Sequence, residues 1–528
     1  MTRAELRWVL LASLVVLLLA SLPTLYAWSL ADAEHVFTGF VYNTEDGNSY
    51  IAKMRLGARG EWLFSLPYTP EEHEGALVYT FYLLLGKVAS GIGLSLVLIY
   101  HLARTLLGLG LLLTVYAFVA RFTPDVAMRR VAWALVAVGS GLGWLLTPLG
   151  ASCLFGDLPL DFWVPEAFVF LVLYSLPHLA LAEALLLWAL LWTLRAFGGG
   201  GTRWCILAGL AAFVMTWIVP FYAGILAAAL GAYLLALLIQ RRRIPCQEIG
   251  RAALTGIFGL PPLVYNAWLF TTNPAFRTWA AQNRILSPHP LHYLLGYSLL
   301  LLPAVWGSIQ AISSRDERWL LPLAWVLVVP FLLYVPFNLQ RRMIAAVQVP
   351  LALLAAVGLR AWFESRQGKM ERLGYVAYVA LASLSNLLLV SGSLGPIRQR
   401  TIPIYRPGAE VAALEWLAAQ AKPDETVLAS CKVGNVIPVW TDLQVFCGHG
   451  PETVHYADKQ AALHRLFQGQ TDEPWRQSLL HKFGIDYVFY GPQERALGNW
   501  DLATAPYLAS IYSRGGYTVY KVADKGEP

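Results

Sequence analysis

Apolar runs long enough to cross a bilayer recur along most of the chain, and no other feature limits its fold so severely. In hydrocarbon every backbone N–H and C=O must be satisfied within its own segment, so each run is expected to be a helix. With 57% hydrophobic and 14% charged residues among 528, the chain is too apolar for a water-soluble globule and too long for one domain. The net charge of +6 is spread through short loops beside the runs. That pattern reads as membrane topology and argues against a nucleic-acid partner.

The spans follow from the runs and the charges between them. Arg3 and Arg7 precede an apolar run from Trp8 to about Leu30. Ala31-Asp32-Ala33 imitates a signal-peptidase site, but the run is long for a signal peptide and is read as a retained first span leading outward. After a loop at 31–93, Leu94–Ala120 returns to Arg121, Arg129 and Arg130. Val131–Gly150 goes out again to the segment ASCLFGDLPLDFWVPE, and a helix from Pro165 to Arg195 with a kink at Pro177 comes back in. GGGG at 198–201 is a flexible connection; Trp204–Gln240 is divided by Pro220 and closed by Arg241, Arg242 and Arg243. Spans near 252–270, 292–312, 319–337 and 343–361 follow, with inner turns SSRDER and ESRQGKMER and outer turns TTNPAFRTWAAQNRILSPHP and FNLQRR. A last span at 375–394 brings the total to about eleven. The positive-inside rule then puts the N-terminus in the cytoplasm and the C-terminus outside a plasma membrane.

From 397 to 528 the pattern changes. PGAEVAALEWLAAQA and DKQAALHRLFQG read as amphipathic helices, and TVLAS, IDYVFY and YTVYKV as strands. The expected fold is a polytopic α-helical membrane protein, residues 1–396, carrying a small extracytoplasmic C-terminal α/β domain. The five cysteines form no CxxC and no metal-ligand spacing. Cys431 and Cys447 are placed to bridge if that domain faces an oxidising compartment.

Polar chemistry concentrates in VYNTEDGNSYIAKMRLGARGEWLFSLPYTPEEHE, residues 41–74. Glu45 and Asp46 precede Asn48–Arg59, read as a short helix lying on the membrane. A carboxylate there is suited to take a proton from a hydroxyl or to hold a divalent cation beside a phosphate; as a plain helix cap it would do neither. Lys53, Arg55 and Arg59 lie on the side the charge rule disfavours and are candidates for lipid phosphate or for ordinary head-group contact. Thr69-Pro-Glu-Glu72 has the form of a capping box for a helix from Pro70 towards Lys87, and His73 has no evident partner. Arg104 and Glu183 lie inside spans, where charges either pair with each other or serve a site. Asp157, Asp161 and Glu166 form a second acidic outer loop, able to share a cation with the first, and His178 lies near an outer helix end. Arg341 and Arg342, read at the outer start of a helix, offer forked donors to a phosphate; snorkelling to lipid is the plain alternative. Trp279, Gln282, Asn283 and Arg284 are placed to stack on or hydrogen-bond a sugar.

ED…YIAKM after a first span, YHLAR in the second, QRRM at an outer helix start and an outer α/β domain together resemble the GT-C fold, the polyprenyl-phosphate-sugar-dependent integral-membrane glycosyltransferases. The resemblance implies a catalytic base or metal ligand at Asp46, with Glu45 as the fallback, and a donor phosphate met by Arg104, Arg341 and Arg342. Tyr50, Lys53, His178, Gln282 and Asn283 complete the expected substrate contacts, and Asp46, Asp161 and Glu166 the set for Mg or Mn. The implied partners are a polyprenyl-phosphate-linked sugar donor, a lipid, glycan or protein acceptor, and membrane lipids. The chain departs from better-known members in having Gly-Asn-Ser after Asp46, and it lacks the WWD-type motif of oligosaccharyltransferases. Two other readings compete: a lipid or saccharide transporter using Arg104 and Glu183, which would carry internal repeats and broken helices, and an inactive scaffold. The scaffold would present GHGPETVHY, with His449, Glu452 and His455, to a partner.

Overall fold

The computed structural model describes residues 1–151, 153–363 and 368–523. Ser152 in the second outer segment and residues 364–367 of the ESRQGKMER turn lie outside the described residues. The chain forms two compact units. One comprises Met1–Leu22, His101–Ala267 and Arg284–Ser393; the other comprises Pro23–Tyr100, Trp268–Asn283 and the chain from Leu394 onward. The loop at 31–93 therefore clusters with the C-terminal segment and not with the spans that flank it.

The chain is a multi-pass membrane protein by its helices. Among the described residues six are long and apolar enough to cross a bilayer, rising to eight if each of two bent pairs counts as one span. About eleven spans were expected, and several of those apolar runs are interrupted and so are not single long helices. Val131–Gly150 is not one helix, because the helix Val126–Val138 ends at an extended Gly139. The run at 319–337 yields only Leu320–Leu332, with Pro330 inside it. Cys246–Ile257 and Leu260–Thr272 meet at 48°, and Lys369–Ala382 and Leu384–Arg398 at 44°. Pro177 opens a new helix after Val169–Ser175, since Leu176 before it is extended. Pro220 likewise separates Thr202–Ile218 from Tyr222–Arg241. Arg241 closes that hairpin on Glu248, at 2.5 Å, and Glu317, at 2.6 Å.

In the first unit Pro290–Ser313 packs on Gln348–Phe363 through small residues. A Cβ on Gly307 would lie 1.9 Å from the Leu354 carbonyl oxygen, and one on Gly358 1.9 Å from that of Pro303. Backbones this close need glycine, the usual device of helix packing in lipid.

The second unit is built on a five-stranded sheet in the order Gln444–Val445, Thr426–Leu428, Ile485–Tyr490, Tyr517–Val522, Leu508–Arg514. The first three strands are parallel and the last two antiparallel additions. Alternation along IDYVFY sends Tyr487 and Phe489 to one core, with Leu414 and Leu417 of the helix Gly408–Gln420. Val488 goes to the other, with Leu463 and Leu466 of the helix Tyr456–Leu466. Ala52 and Tyr68 of the 31–93 loop are buried in the first of these cores. His35–Phe37 pairs antiparallel with Tyr405–Pro407, a second seam between loop and C-terminal segment. The expected capping box at Thr69 is absent, because the helix begins ten residues later, at Thr80–Ile92. Thr69 and Glu71 instead receive the buried Lys459 ammonium, at 3.0 and 2.6 Å. His73 has partners too: its Nε2 accepts from the Leu66 N–H at 2.8 Å.

Cys431 and Cys447 form a disulfide across 16 residues of sequence. Closing a loop of that size removes about 3 kcal/mol of unfolded-chain entropy. Paired Cys431→Ser and Cys447→Ser replacement is expected to lower stability by about that amount in a denaturant titration of the purified protein. Gly307→Ala and Gly358→Ala should each cost about 1–3 kcal/mol by the same measurement. Gly231→Ala, where a Cβ meets nothing within 4 Å, should be close to neutral.

Candidate functional site

The helix expected at 48–59 runs over Thr44–Ala58. Its cap residue, Asn43, has no side-chain capping bond, and Asp46 stands in the first turn. One Asp46 oxygen, Oδ2, accepts from Asn43 Nδ2 at 2.5 Å. The other, Oδ1, lies 2.8 Å from His449 Nε2. Behind it, His449 Nδ1 is 3.3 Å from Glu452 Oε1, an ion-pair distance without hydrogen-bond geometry. Glu452 Oε1 in turn accepts from Lys53 Nζ at 2.6 Å and Ser49 Oγ at 2.7 Å. Lys53 Nζ also donates to Ser49 Oγ and sits 4.3 Å from the Tyr79 ring centre.

Exposure falls steeply along this row. The Asp46 side chain is 39% exposed and His449 9%, whereas Glu452 and Lys53 are 2% and 0% exposed. Desolvation pushes the Lys53 ammonium down from its ordinary pKa, and Glu452 opposes the shift. Burial alone would also lower His449; the Glu452 charge and the hydrogen bond to Asp46 outweigh it and hold the imidazole above its usual range. The row thus places alternating charges, Asp46, His449, Glu452 and Lys53, with a single member open to solvent.

The turn that supplies His449 is tied at several points. The Gly448 N–H donates to Thr453 Oγ1 at 3.0 Å, and the Thr453 N–H to the His449 carbonyl at 2.9 Å. Gln282 Nε2 donates to the Thr453 carbonyl at 2.9 Å, and Gln282 Oε1 accepts from the Tyr456 N–H at 3.3 Å. A Cβ on Gly448 would come 2.3 Å from the Tyr68 ring, so glycine is required where that ring passes. Asn435 accepts from Asn48 Nδ2 at 2.8 Å and donates to the Glu45 carbonyl at 3.2 Å, fixing the start of the helix.

Several residues expected at a site are differently employed. Lys53 is buried against Glu452 and does not reach lipid phosphate. Arg55 donates to the Val439 carbonyl at 3.0 Å and Arg59 to Asp424 at 3.0 Å, so these cations serve the C-terminal segment. Gln282 has both ends of its amide on the 451–456 turn. Trp279 packs among Phe270, Phe276 and Tyr79, and Asn283 ends the helix Pro274–Gln282. Tyr50 stacks on Tyr82 at 4.4 Å. Glu45 is exposed beside Asp46. GHGPETVHY, read as an outward contact surface, turns His449 and Glu452 inward and leaves only His455 exposed, at 63%.

In the first unit Arg104 and Glu183 are not each other's partner. Arg104 donates to the Tyr174 carbonyl at 2.6 Å and to Ser21 Oγ at 3.0 Å, and Glu183 faces the Tyr222 hydroxyl at 3.5 Å. Arg341 and Arg342 lie in the short 3-10 turn Gln340–Ile344, not at the start of the long helix, which begins at Gln348. Arg342 Nε is 3.1 Å from Glu166, and Arg341 covers the Trp163 ring at 4.2 Å. His178 is in the first turn of the helix opened by Pro177. Asp161 is buried and accepts from the Gly141 and Gly143 N–H groups at 3.0 and 3.1 Å. Of the carboxylates expected to share a cation, Asp161 and Glu166 belong to this unit, and Glu166 lies 3.1 Å from Arg342. Among the described residues no three His, Cys, Asp or Glu side chains are grouped to hold a metal ion.

No family model matches the chain, and no curated protein matches it by sequence. Solved structures do match. The oligosaccharyltransferase of Archaeoglobus fulgidus, solved with a tethered acceptor peptide, superposes at TM-score 0.55 with 14% identity, over 98% of this chain and 74% of that one. ArnT from Cupriavidus metallidurans bound to undecaprenyl phosphate gives 0.51 with 14% identity over the whole of both chains. The mycobacterial arabinofuranosyltransferase AftD gives 0.52 with 16% identity, over 99% of this chain and 42% of that one. The chain has the GT-C fold that the resemblance implied.

Lys53 and Glu452 give a test of the site's internal order. Lys53→Met strands a buried carboxylate and is expected to cost about 3–5 kcal/mol. The double variant Lys53→Met with Glu452→Leu should regain most of that loss in the same thermal and denaturant melts.

Proposed function

We propose that the chain is a membrane glycosyltransferase that moves a sugar from a polyprenyl-phosphate donor to a hydroxyl acceptor on the extracytoplasmic side of the plasma membrane. In this reading the N-terminus is cytoplasmic and the unit carrying Asp46 faces outward. One observation carries it. Within its GT-C fold, the first loop of this chain holds a half-exposed aspartate backed by a buried histidine. Undecaprenyl phosphate bound to ArnT and dolichol phosphate bound to the Archaeoglobus oligosaccharyltransferase support the donor class.

The chemistry follows from the side chains. The acceptor hydroxyl gives its proton to the Asp46 carboxylate as its oxygen attacks the anomeric carbon. The bond from that carbon to the phosphate oxygen breaks, and its electron pair leaves with the polyprenyl phosphate. Charge grows on that phosphate oxygen as it leaves, and a guanidinium group is the kind of donor suited to meet it. No step is assigned to a cation. A transporter would share the bent helix pairs, so the helices alone do not separate the two readings.

The test compares extracytoplasmic glycolipids and glycoproteins by mass in a deletion strain carrying wild-type protein or Asp46→Asn, at equal membrane levels. Wild type is expected to restore a species heavier by one sugar. Loss of a general base predicts that Asp46→Asn makes it about 10²–10⁴ times more slowly. Equal restoration by both would remove Asp46 from the chemistry. Unchanged masses with a lipid-linked saccharide accumulating on the inner face would favour transport.

A further inference from the structure

We propose that His449, supplied by the C-terminal segment, is a positioning residue for Asp46. It would hold one carboxylate oxygen so that the other faces the acceptor hydroxyl. The inference rests on Asp46 acting as the base. An aspartate on the first turn of a helix has two free side-chain torsions, and the Thr44–Ala58 backbone does not fix them. Asn43 is exposed and adjacent, so it moves with the same turn. His449 comes from a turn anchored elsewhere, and its Nε2 contact at 2.8 Å is a tie from Asp46 to the C-terminal segment.

The supports of His449 are those an orienting group needs. Its far nitrogen lies against Glu452, and that carboxylate is itself pinned by Lys53 and Ser49, both buried. The Cys431–Cys447 disulfide ends two residues before it, and Thr453 and Gln282 hold the turn that follows. The charged and titratable groups facing the imidazole are Asp46 and Lys53 from the helix, Glu452 from its own turn, and Tyr68, whose ring centre is 5.9 Å away. With 9% of its side chain exposed against 39% for Asp46, His449 is less open to an acceptor. In the proposed step the proton leaving the hydroxyl goes to Asp46, and His449 orients it without taking that proton.

The test uses full-length purified protein added to membranes of the deletion strain, which supply donor and acceptor, with the product followed by mass. His449→Ala is expected to slow the reaction about 10²-fold, the scale of a misplaced reacting group. Imidazole added to His449→Ala should restore activity at least several-fold, and should do nothing for Asp46→Asn. Gln places an amide nitrogen near the Nε2 position and Asn near Nδ1, so His449→Gln should outperform His449→Asn at matched melting temperatures. That pair decides the matter if the alanine variant does not fold. Wild-type rates in His449→Ala, or equal loss in the Gln and Asn variants with no imidazole rescue, would overturn the proposal. Full activity in Asp46→Asn would instead remove the catalytic reading on which it rests.

Discussion

A lysine ammonium with no solvent contact survives inside a protein only if a carboxylate is buried with it, and Lys53 and Glu452 form such a pair. The two are 399 residues apart in sequence, so the requirement binds the first loop to the C-terminal segment. Desolvating both ions costs several kcal/mol each, and their attraction repays this only where further donors complete the geometry. Ser49 supplies one such donor to Glu452, and the aromatic rings of Tyr79 and Phe64 face the ammonium. The pair is thus less a source of stability than a device of register. It fixes which residue of the 447–455 turn faces which residue of the loop helix.

The membrane imposes the opposite economy on the first unit. Without water to satisfy stray backbone groups, breaks in the helices need a local reason, and proline or glycine supplies most of them. Pro177 and Pro220 each end one helix and begin another, and Gly139 ends a third. Where helices stay whole they approach through glycine, as at Gly307 and Gly358. Several charged groups within this unit are met by backbone or neighbours: one oxygen of Asp161 by two N–H groups, Arg104 by a carbonyl, Glu166 by Arg342.

Hydropathy and proline positions made the membrane class, the breaks at Pro177 and Pro220 and the change of character near Arg398 legible in the sequence. The strands IDYVFY and YTVYKV were legible because both are apolar on alternating faces of one sheet. The continuity of the helices was not, since a run of twenty apolar residues does not reveal that Gly139 ends one helix or that Pro330 sits in another. The site was half legible. Glu45 and Asp46 stood out as acids after a first span, but the partner of Asp46 lies 403 residues away, beyond any local pattern. The one available signal was GHGPETVHY, but a histidine and a glutamate between glycine and threonine do not tell an outward surface from a turn packed on the loop helix. Lys53, Arg55 and Arg59 carried a further clue: cations on the disfavoured side of a membrane need carboxylates or carbonyls, and each of the three has found them in the C-terminal segment.

Arranged by exposure, the row from Lys53 to Asp46 shows how the proposed base can sit at the end of a costly buried network. Removing a charge from the interior of such a row leaves its neighbour uncompensated, so the inner members are held in place by energy. The outer member is held by geometry alone, because water can replace any partner it loses. Asp46 therefore has the freedom a proton acceptor needs and His449 the rigidity to limit that freedom. The division depends on the two residues coming from segments far apart in sequence. A base whose orientation is set by a distant segment acts only when that segment has folded against it.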